Sequence, residues 1–116
     1  MSEASSVPVV VCCTPIPADT MSESDAARAA ELFKSLGDPN RVRIVNLLAT
    51  ADEPVCVCDI TPAVALSQPT VSFHLKKLLN AGIVEREQRG KWAFYSIRRG
   101  ALTEVAAVLT AEGATQ

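Results

Sequence analysis

The amino-acid sequence predicts a mainly α fold of about five helices with one two-stranded β-hairpin. Apolar residues recur at helical spacing in several stretches that open on capping residues and close near glycine. Between residues 83 and 97 the pattern changes to β-branched and aromatic residues around a short glycine turn. The 116 residues, 48% of them apolar, are enough for one domain with a modest core, which makes dimerisation plausible.

The chain divides into a flexible N-terminal arm, residues 1–21, and a folded domain, residues 22–116. Pro8, Pro15 and Pro17 exclude a long helix from the arm. Its apolar piece, Val7–Cys13, is too short for a signal peptide, and no apolar run approaches the roughly 20 residues of a membrane span. We therefore expect a cytoplasmic protein with no membrane partner, where cysteines are rarely structural disulfides.

Two helices open the folded domain. A capping box from Ser22 to Asp25 begins the first helix, and Gly37 ends it. The buried stripe expected for this helix is Ala26, Ala30, Phe33 and Leu36. Asp38–Pro39 supplies the cap and the first turn of the second helix, which runs through about Ala49. Because it is apolar on most sides, the second helix is expected to be central.

The next two helices are separated by a tight turn, which predicts a helix-turn-helix. The third helix is expected near Val57–Ala65, and Ser67 caps the fourth, which ends at Asn80–Gly82. The fourth helix has an apolar stripe at Val71, Leu75, Leu78 and Leu79. Its other face and flanks carry Thr70, Ser72, Phe73, His74, Lys76 and Lys77. Such a helix packs on one side and suits a DNA major groove on the other.

The last part of the domain is a hairpin followed by a helix. Strands at Ile83–Gln88 and Trp92–Ile97 flank the basic turn Arg89–Lys91. A basic hairpin directly after a helix-turn-helix is typical of a wing that contacts the DNA backbone or minor groove. A final amphipathic helix, about Arg99–Glu112, is expected to pair with its copy in a homodimer. The fold class is thus an α+β winged helix-turn-helix.

The charge distribution supports a polyanionic partner. Between Ser67 and Arg99 seven basic residues face two acidic ones, whereas the whole chain carries a net charge of −2. This asymmetry predicts one face that attracts phosphate on an otherwise acidic body. Lys76, Lys77, Arg89 and Lys91 are expected to contribute sequence-independent attraction to double-stranded operator DNA.

Four cysteines fall in two pairs, Cys12/Cys13 in the arm and Cys56/Cys58 at the start of the third helix. Soft thiolates suit As(III), which binds three of them, and also Cd(II), Pb(II) and Zn(II), which prefer four. A helix N-terminus favours the thiolate form at Cys56 and Cys58. We expect Cys12, Cys13 and Cys56 to be metal ligands, with Cys58 as a fourth or auxiliary one.

Three stretches resemble the ArsR/SmtB family of metalloregulatory repressors, over about residues 24–110: Leu36–Ile44, Cys56–Ile60 and Leu66–Leu78. The resemblance implies a homodimeric repressor of a resistance operon that metal releases from DNA. The Cys-Val-Cys-Asp motif is similar to the arsenic- and cadmium/lead-sensing branches, and Cys12–Cys13 is similar to members that bind arsenite between the arm and the partner's body. Residues that match DNA-contacting positions of the family are Ser67, Gln68, Thr70, Ser72, Phe73, His74 and Lys77.

The predicted function is therefore an arsenite-responsive repressor with As(III) as inducer and no organic cofactor; Sb(III) would suit the same thiols. Two alternatives remain open. One is a Cd(II)- or Pb(II)-responsive repressor that uses all four cysteines, and the other is a thiol-redox-responsive repressor. An enzyme is disfavoured, because the sequence has no phosphate-cradling loop, no histidine near a cysteine and no alternating α/β pattern.

Overall fold

The computed structural model describes residues 20–110. The arm cysteines, Cys12 and Cys13, lie outside the described residues, as does the predicted end of the last helix at Glu112. The described elements are helices α1 Glu23–Leu36, α2 Pro39–Thr50, α3 Val57–Val64, α4 Gln68–Asn80 and α5 Arg99–Thr110, and strands β1 Val55–Cys56, β2 Val84–Arg89 and β3 Trp92–Ile97. The predicted mainly α, winged helix-turn-helix architecture is confirmed. No helix within residues 20–110 is long and apolar enough to cross a membrane.

Three of the side-chain caps that begin helices are those that the sequence predicts. The Ser22 hydroxyl accepts a hydrogen bond from the Asp25 N–H at 3.1 Å and starts α1. The Asp38 carboxylate accepts from the Asn40 N–H at 2.8 Å and starts α2. The Ser67 hydroxyl starts α4 by accepting from the N–H of Thr70 at 3.3 Å. Each cap satisfies a donor that a helix N-terminus otherwise leaves free.

The buried face of α1 differs from the predicted stripe. Ala29 and Leu32 are buried, whereas Ala26 and Ala30 are exposed and Phe33 is 37% exposed. The alanines of α1 lie on both faces of the helix, so their spacing does not show which face is buried. The large Leu32 side chain decides which face packs, and the stripe is rotated by about one residue.

The sheet has three antiparallel strands in the order β1-β3-β2, one more than predicted. Strand β1 pairs Val55 with Tyr95 and Cys56 with Phe94. Two residues are too few to show a strand period, so the sequence pattern could not reveal β1. The predicted hairpin is present and closes between Arg89 and Trp92.

The core lies where the helix-turn-helix meets α1, α2 and the base of the hairpin. Its fully buried large side chains are Leu32, Ile44, Ile60, Val71, Leu75, Leu78, Ile83 and Val84. Three of these belong to α4, so the predicted apolar stripe of that helix is confirmed at Val71, Leu75 and Leu78. Helix α4 is thereby fixed on its inner side and presents its outer side to solvent.

Candidate nucleic-acid interface and thiol pair

The outer face of α4 presents most of the residues predicted to contact DNA. Its exposed members are Ser67, Gln68, Ser72, Phe73, Lys76 and Lys77, and we call this set the reading surface. Phe73 is 54% exposed, and the Lys77 ammonium lies 5.4 Å from the centre of its ring. An exposed aromatic ring beside a cation can contact a thymine methyl group while the cation attracts phosphate.

Two residues predicted for this surface are less exposed than its other members. Thr70 is half-buried, and its hydroxyl accepts a hydrogen bond from the Ser67 hydroxyl at 2.9 Å. His74 is only 6% exposed, and its Nδ1 lies 3.1 Å from Nη1 of Arg41 on α2. His74 therefore packs behind the reading surface and does not form part of it.

The wing presents two basic residues in different environments. The Arg89 guanidinium forms an ion pair with Glu87 at 3.0 Å and stacks over the Phe94 ring at 4.3 Å. The hydrogen bond and the positive charge of Arg89 lower the pKa of Glu87. Lys91 lies in the exposed turn and belongs to none of the ion pairs within residues 20–110. Lys91 is thus the freer of the two predicted phosphate contacts.

The thiol pair sits where β1 meets α3. Cys56 is 4% exposed, extends the sheet edge and caps α3 by accepting a hydrogen bond from the Cys58 N–H at 3.2 Å. Cys58 is exposed, and the two Cα atoms are 5.1 Å apart. The structure joins the two sulfurs in a disulfide, whereas the sequence led us to expect free thiolates. The extended Cys56 backbone, followed at once by the first helical turn, brings Cys58 back toward Cys56.

The described residues supply only part of the predicted metal site. Within residues 20–110 no three histidine, cysteine, aspartate or glutamate side chains come together closely enough to hold a metal ion. Cys56 and Cys58 are two soft donors on one helix start, which fits part of a thiolate site but falls short of the three that As(III) takes. The remaining predicted ligands, Cys12 and Cys13, lie outside the described part of the chain.

Two arginines of α2 that the sequence analysis passed over brace the helix-turn-helix. Arg43 Nη1 donates to the Val64 carbonyl at 3.1 Å and so caps the C-terminus of α3. Arg41 Nε donates to the Ser35 carbonyl at 2.6 Å near the end of α1. Charged residues in a helix that is otherwise apolar on most sides were the signal that could have indicated such partners.

Hydrogen bonds to Asp38 fix the start of the same helix. Burial raises the pKa of this carboxyl, but the hydrogen bonds from the backbone N–H groups of Arg41 and Asn40 and the positive charge of Arg41 together outweigh that effect. The net effect is a lowered pKa, so Asp38 is ionised at neutral pH and the cap is charged.

Comparison with known proteins identifies the family to which the chain belongs. The family described as "Bacterial regulatory protein, arsR family" matches residues 38–86, which span α2, the helix-turn-helix and the start of the first wing strand, β2. An uncharacterized HTH-type transcriptional regulator of Methanocaldococcus jannaschii is 47% identical over 70 residues, 60% of this chain and 78% of that relative. The arsenical resistance operon repressor of Escherichia coli is 42% identical over 67 residues, 58% of this chain and 56% of the repressor.

A cadmium-related regulator and a solved structure extend the comparison. The cadmium resistance transcriptional regulatory protein CadC of Listeria innocua is 37% identical over 78 residues, 67% of this chain and 65% of CadC. The solution structure of a homodimeric winged helix-turn-helix domain from Mycobacterium bovis has a TM-score of 0.59 at 28% identity, covering 84% of this chain and 97% of that domain. Sequence, fold and relatives agree that the chain belongs to the arsR family, whose members are DNA-binding transcriptional regulators and not enzymes.

Proposed function

We propose that the protein is an arsenite-responsive transcriptional repressor that binds operator DNA as a dimer and leaves it when cysteine thiolates coordinate As(III). The observation that carries the proposal is the placement of Cys56 and Cys58 at the start of α3, the first helix of the helix-turn-helix. A relative of this chain is named as an arsenical resistance operon repressor, which supports the choice of inducer.

Two short routes link the thiol pair to the DNA-facing elements. Helix α3 packs against α4, and only residues 65–67 separate the two helices. On the other side, Cys56 pairs with Phe94 of β3, and the Phe94 ring lies beneath Arg89 of the wing. A shift at Cys56 would therefore reach both the reading surface and the wing. A typical coupling of about 1–3 kcal/mol corresponds to roughly 5- to 150-fold weaker operator binding.

The arm is proposed to complete the metal site. As(III) takes three thiolates, and within residues 20–110 the thiol pair is the only group of soft donors at the site. Cys12 and Cys13 are adjacent and can turn onto one ion together with Cys56, with Cys58 as the auxiliary ligand. On this account, coordination pins the arm to the start of α3 and changes the spacing of the two reading helices in the dimer.

A gel-shift titration with arsenite under reducing conditions tests the proposal. Wild type should release its operator as arsenite is added, whereas the Cys12→Ser/Cys13→Ser and Cys56→Ser variants should stay bound. Cys58→Ser should still release its operator when arsenite is added. None of these variants changes the reading surface, so DNA affinity in the absence of arsenite serves as the control. Equal release of wild type and the arm variant would rule out the arm as the sensor.

A cadmium- or lead-responsive repressor is the second candidate, and the similarity to CadC favours it. These ions prefer four thiolates, so all four cysteines would be required. The Cys58→Ser variant separates the two candidates. It should keep its response to arsenite if three thiolates suffice, and it should lose its response to Cd(II) if the fourth is needed.

A thiol-redox response is favoured by the Cys56–Cys58 disulfide of the structure. In this reaction two thiols give up two protons and two electrons to a peroxide, which is reduced to two waters in the case of hydrogen peroxide, and one S–S bond forms. Counting free thiols after mild peroxide treatment, together with DNA release in the absence of any metal, tests this candidate. DNA release that accompanies the loss of free thiols in the absence of metal would favour a redox response over metal sensing.

A further inference from the structure

The only histidine of the chain, His74, lies inside the protein although it belongs to the DNA-reading helix. Its imidazole is 6% exposed, and its Nδ1 lies 3.1 Å from Nη1 of Arg41. The Arg41 Nε donates to the Ser35 carbonyl at 2.6 Å. One guanidinium group therefore joins the end of α1, the start of α2 and the middle of α4.

The chemistry of the pair dictates the protonation of His74. A guanidinium group has only hydrogen-bond donors and stays charged in proteins. The Nδ1 atom of His74 must then accept, which requires a neutral imidazole with its proton on Nε2. A proton on Nδ1 would place an N–H donor against the N–H donors of Arg41, and protonation of both ring nitrogens would add a positive charge beside the Arg41 cation.

The backbone of Arg41 is also held in place. The Asp38 carboxylate accepts a hydrogen bond from the Arg41 backbone N–H at 3.2 Å, so the start of α2 cannot rotate freely. The ring of Phe73 meets that of His74 edge to face, with centroids 5.4 Å apart. Arg41 therefore contacts α4 through His74, which is the neighbour of Phe73, the exposed aromatic residue of the reading surface.

We infer that Arg41 and His74 are positioning residues for operator recognition, which orient α4 against α1 so that the reading surface meets the base edges. This inference rests on the proposed operator-binding function. Neither side chain needs to contact DNA: His74 is buried, and two of the hydrogen-bonding atoms of Arg41 are already used within the protein. Loss of the pair should therefore impair recognition of a sequence more than attraction to phosphate.

Three variants separate positioning from charge and from stability. His74→Phe keeps a ring but removes the hydrogen-bond acceptor. Arg41→Lys keeps the positive charge but cannot contact the Ser35 carbonyl and His74 Nδ1 at the same time. His74→Asn is the matched control, because its side-chain oxygen can accept at about the position of Nδ1. Thermal unfolding of each variant shows whether the domain remains folded at the assay temperature.

The wild-type protein is first used to select an operator duplex from random DNA. The assay then compares binding to this duplex with binding to a scrambled duplex of the same length, at the same salt concentration. We expect His74→Phe and Arg41→Lys to bind the operator about tenfold more weakly, and the scrambled duplex within about twofold of wild type. His74→Asn should recover most of the operator affinity. Equal losses on both duplexes would show that Arg41 acts as a phosphate contact and would overturn the inference.

Nitrogen-15 NMR of the wild-type protein gives a second readout without DNA. Because the chain has one histidine, its two ring nitrogens are assigned without ambiguity. A signal for unprotonated Nδ1 and protonated Nε2 supports the pair, and the opposite tautomer overturns it. If wild type binds both duplexes equally, the proposed function itself fails; if wild type discriminates and His74→Phe discriminates equally well, only the positioning role fails.

Discussion

Ala65 occupies the left-handed region of backbone space, with φ 56° and ψ 42°, directly after α3. It is the one non-glycine residue with positive φ within residues 20–110. The turn of the helix-turn-helix requires this conformation, which brings Cβ too close to the following carbonyl in any L-residue other than glycine. The turn therefore carries local strain at the junction between the thiol pair and the reading helix.

Replacing this residue by glycine should relieve that strain. We expect Ala65→Gly to raise the free energy of unfolding by roughly 0.5–1 kcal/mol, after allowance for the greater freedom of glycine in the unfolded chain. Ala63→Gly, at an exposed position inside α3, is the matched control and should lower it by roughly 0.5–1 kcal/mol. Urea unfolding measures both, and a destabilised Ala65→Gly variant would contradict the account.

Sequence reasoning was strongest at residues with one clear local role. Ser22, Asp38 and Ser67 were predicted as caps because their side chains can accept from the next turn, and each does so. His74 could not be placed in the same way, because its partner Arg41 lies 33 positions away along the chain. A contact between distant helices leaves no periodic pattern in the sequence.

The wing is the element in which the two predicted phosphate contacts differ most. Arg89 is held by Glu87 and by the Phe94 ring, whereas Lys91 extends from the exposed turn without an ion-pair partner in the described part of the chain. Exposed ion pairs contribute little to stability, but they reduce the charge available to a polyanion. We therefore expect Lys91 to contribute more than Arg89 to the attraction of the DNA phosphate backbone.

Removing that charge should change the salt dependence of DNA binding. We expect Lys91→Gln to weaken binding to all DNA sequences alike and to reduce the slope of log affinity against log salt by about 1. Lys34→Gln, an equal change of charge on α1, is the control and should leave the slope near that of wild type. Fluorescence anisotropy at several salt concentrations provides the measurement, and equal slopes for Lys91→Gln and wild type would exclude the contact.

Strand β1 shows where prediction at the scale of elements fell short. The long helices and the hairpin have periods that several residues repeat, so their existence could be read from the sequence. Strand β1 has two residues and exists because β3 offers Tyr95 and Phe94 as partners. Its pairing places Cys56 on the sheet, which connects the thiol pair to β3 of the wing as well as to α3.

At the scale of the whole molecule, α1 and α5 form an apolar face that a partner subunit could cover. The two helices enclose a groove of about 290 Å³ lined by Met21, Asp25, Arg28, Ala29, Leu32, Glu104, Ala107 and Val108. Leu109 at the end of α5 is 72% exposed. Since a solved relative is a homodimer, we expect this face to form the dimer interface.

A charge on this face should separate the subunits. Leu109→Glu is expected to raise the dimer dissociation constant by about tenfold or more, because an unpaired carboxylate would be buried at the interface. Val42→Glu, which replaces an apolar residue 50% exposed on α2, is the matched control and should leave the dimer intact. Sedimentation velocity across a concentration series gives the answer, and a dimeric Leu109→Glu protein would place the interface elsewhere.

The assembly of the metal site from the thiols of the arm and of α3 is also a property of the whole molecule. The spacing of the cysteines suggests two pairs and a soft ion, but no local pattern relates the arm to the start of α3. The most direct measurement is arsenic X-ray absorption on the arsenite-loaded 116-residue protein, which counts the sulfur atoms bound to each As(III). We predict three sulfurs per As(III) in wild type and fewer in Cys12→Ser/Cys13→Ser, which should also no longer release DNA. An unchanged sulfur count and unchanged release in that variant would contradict this prediction.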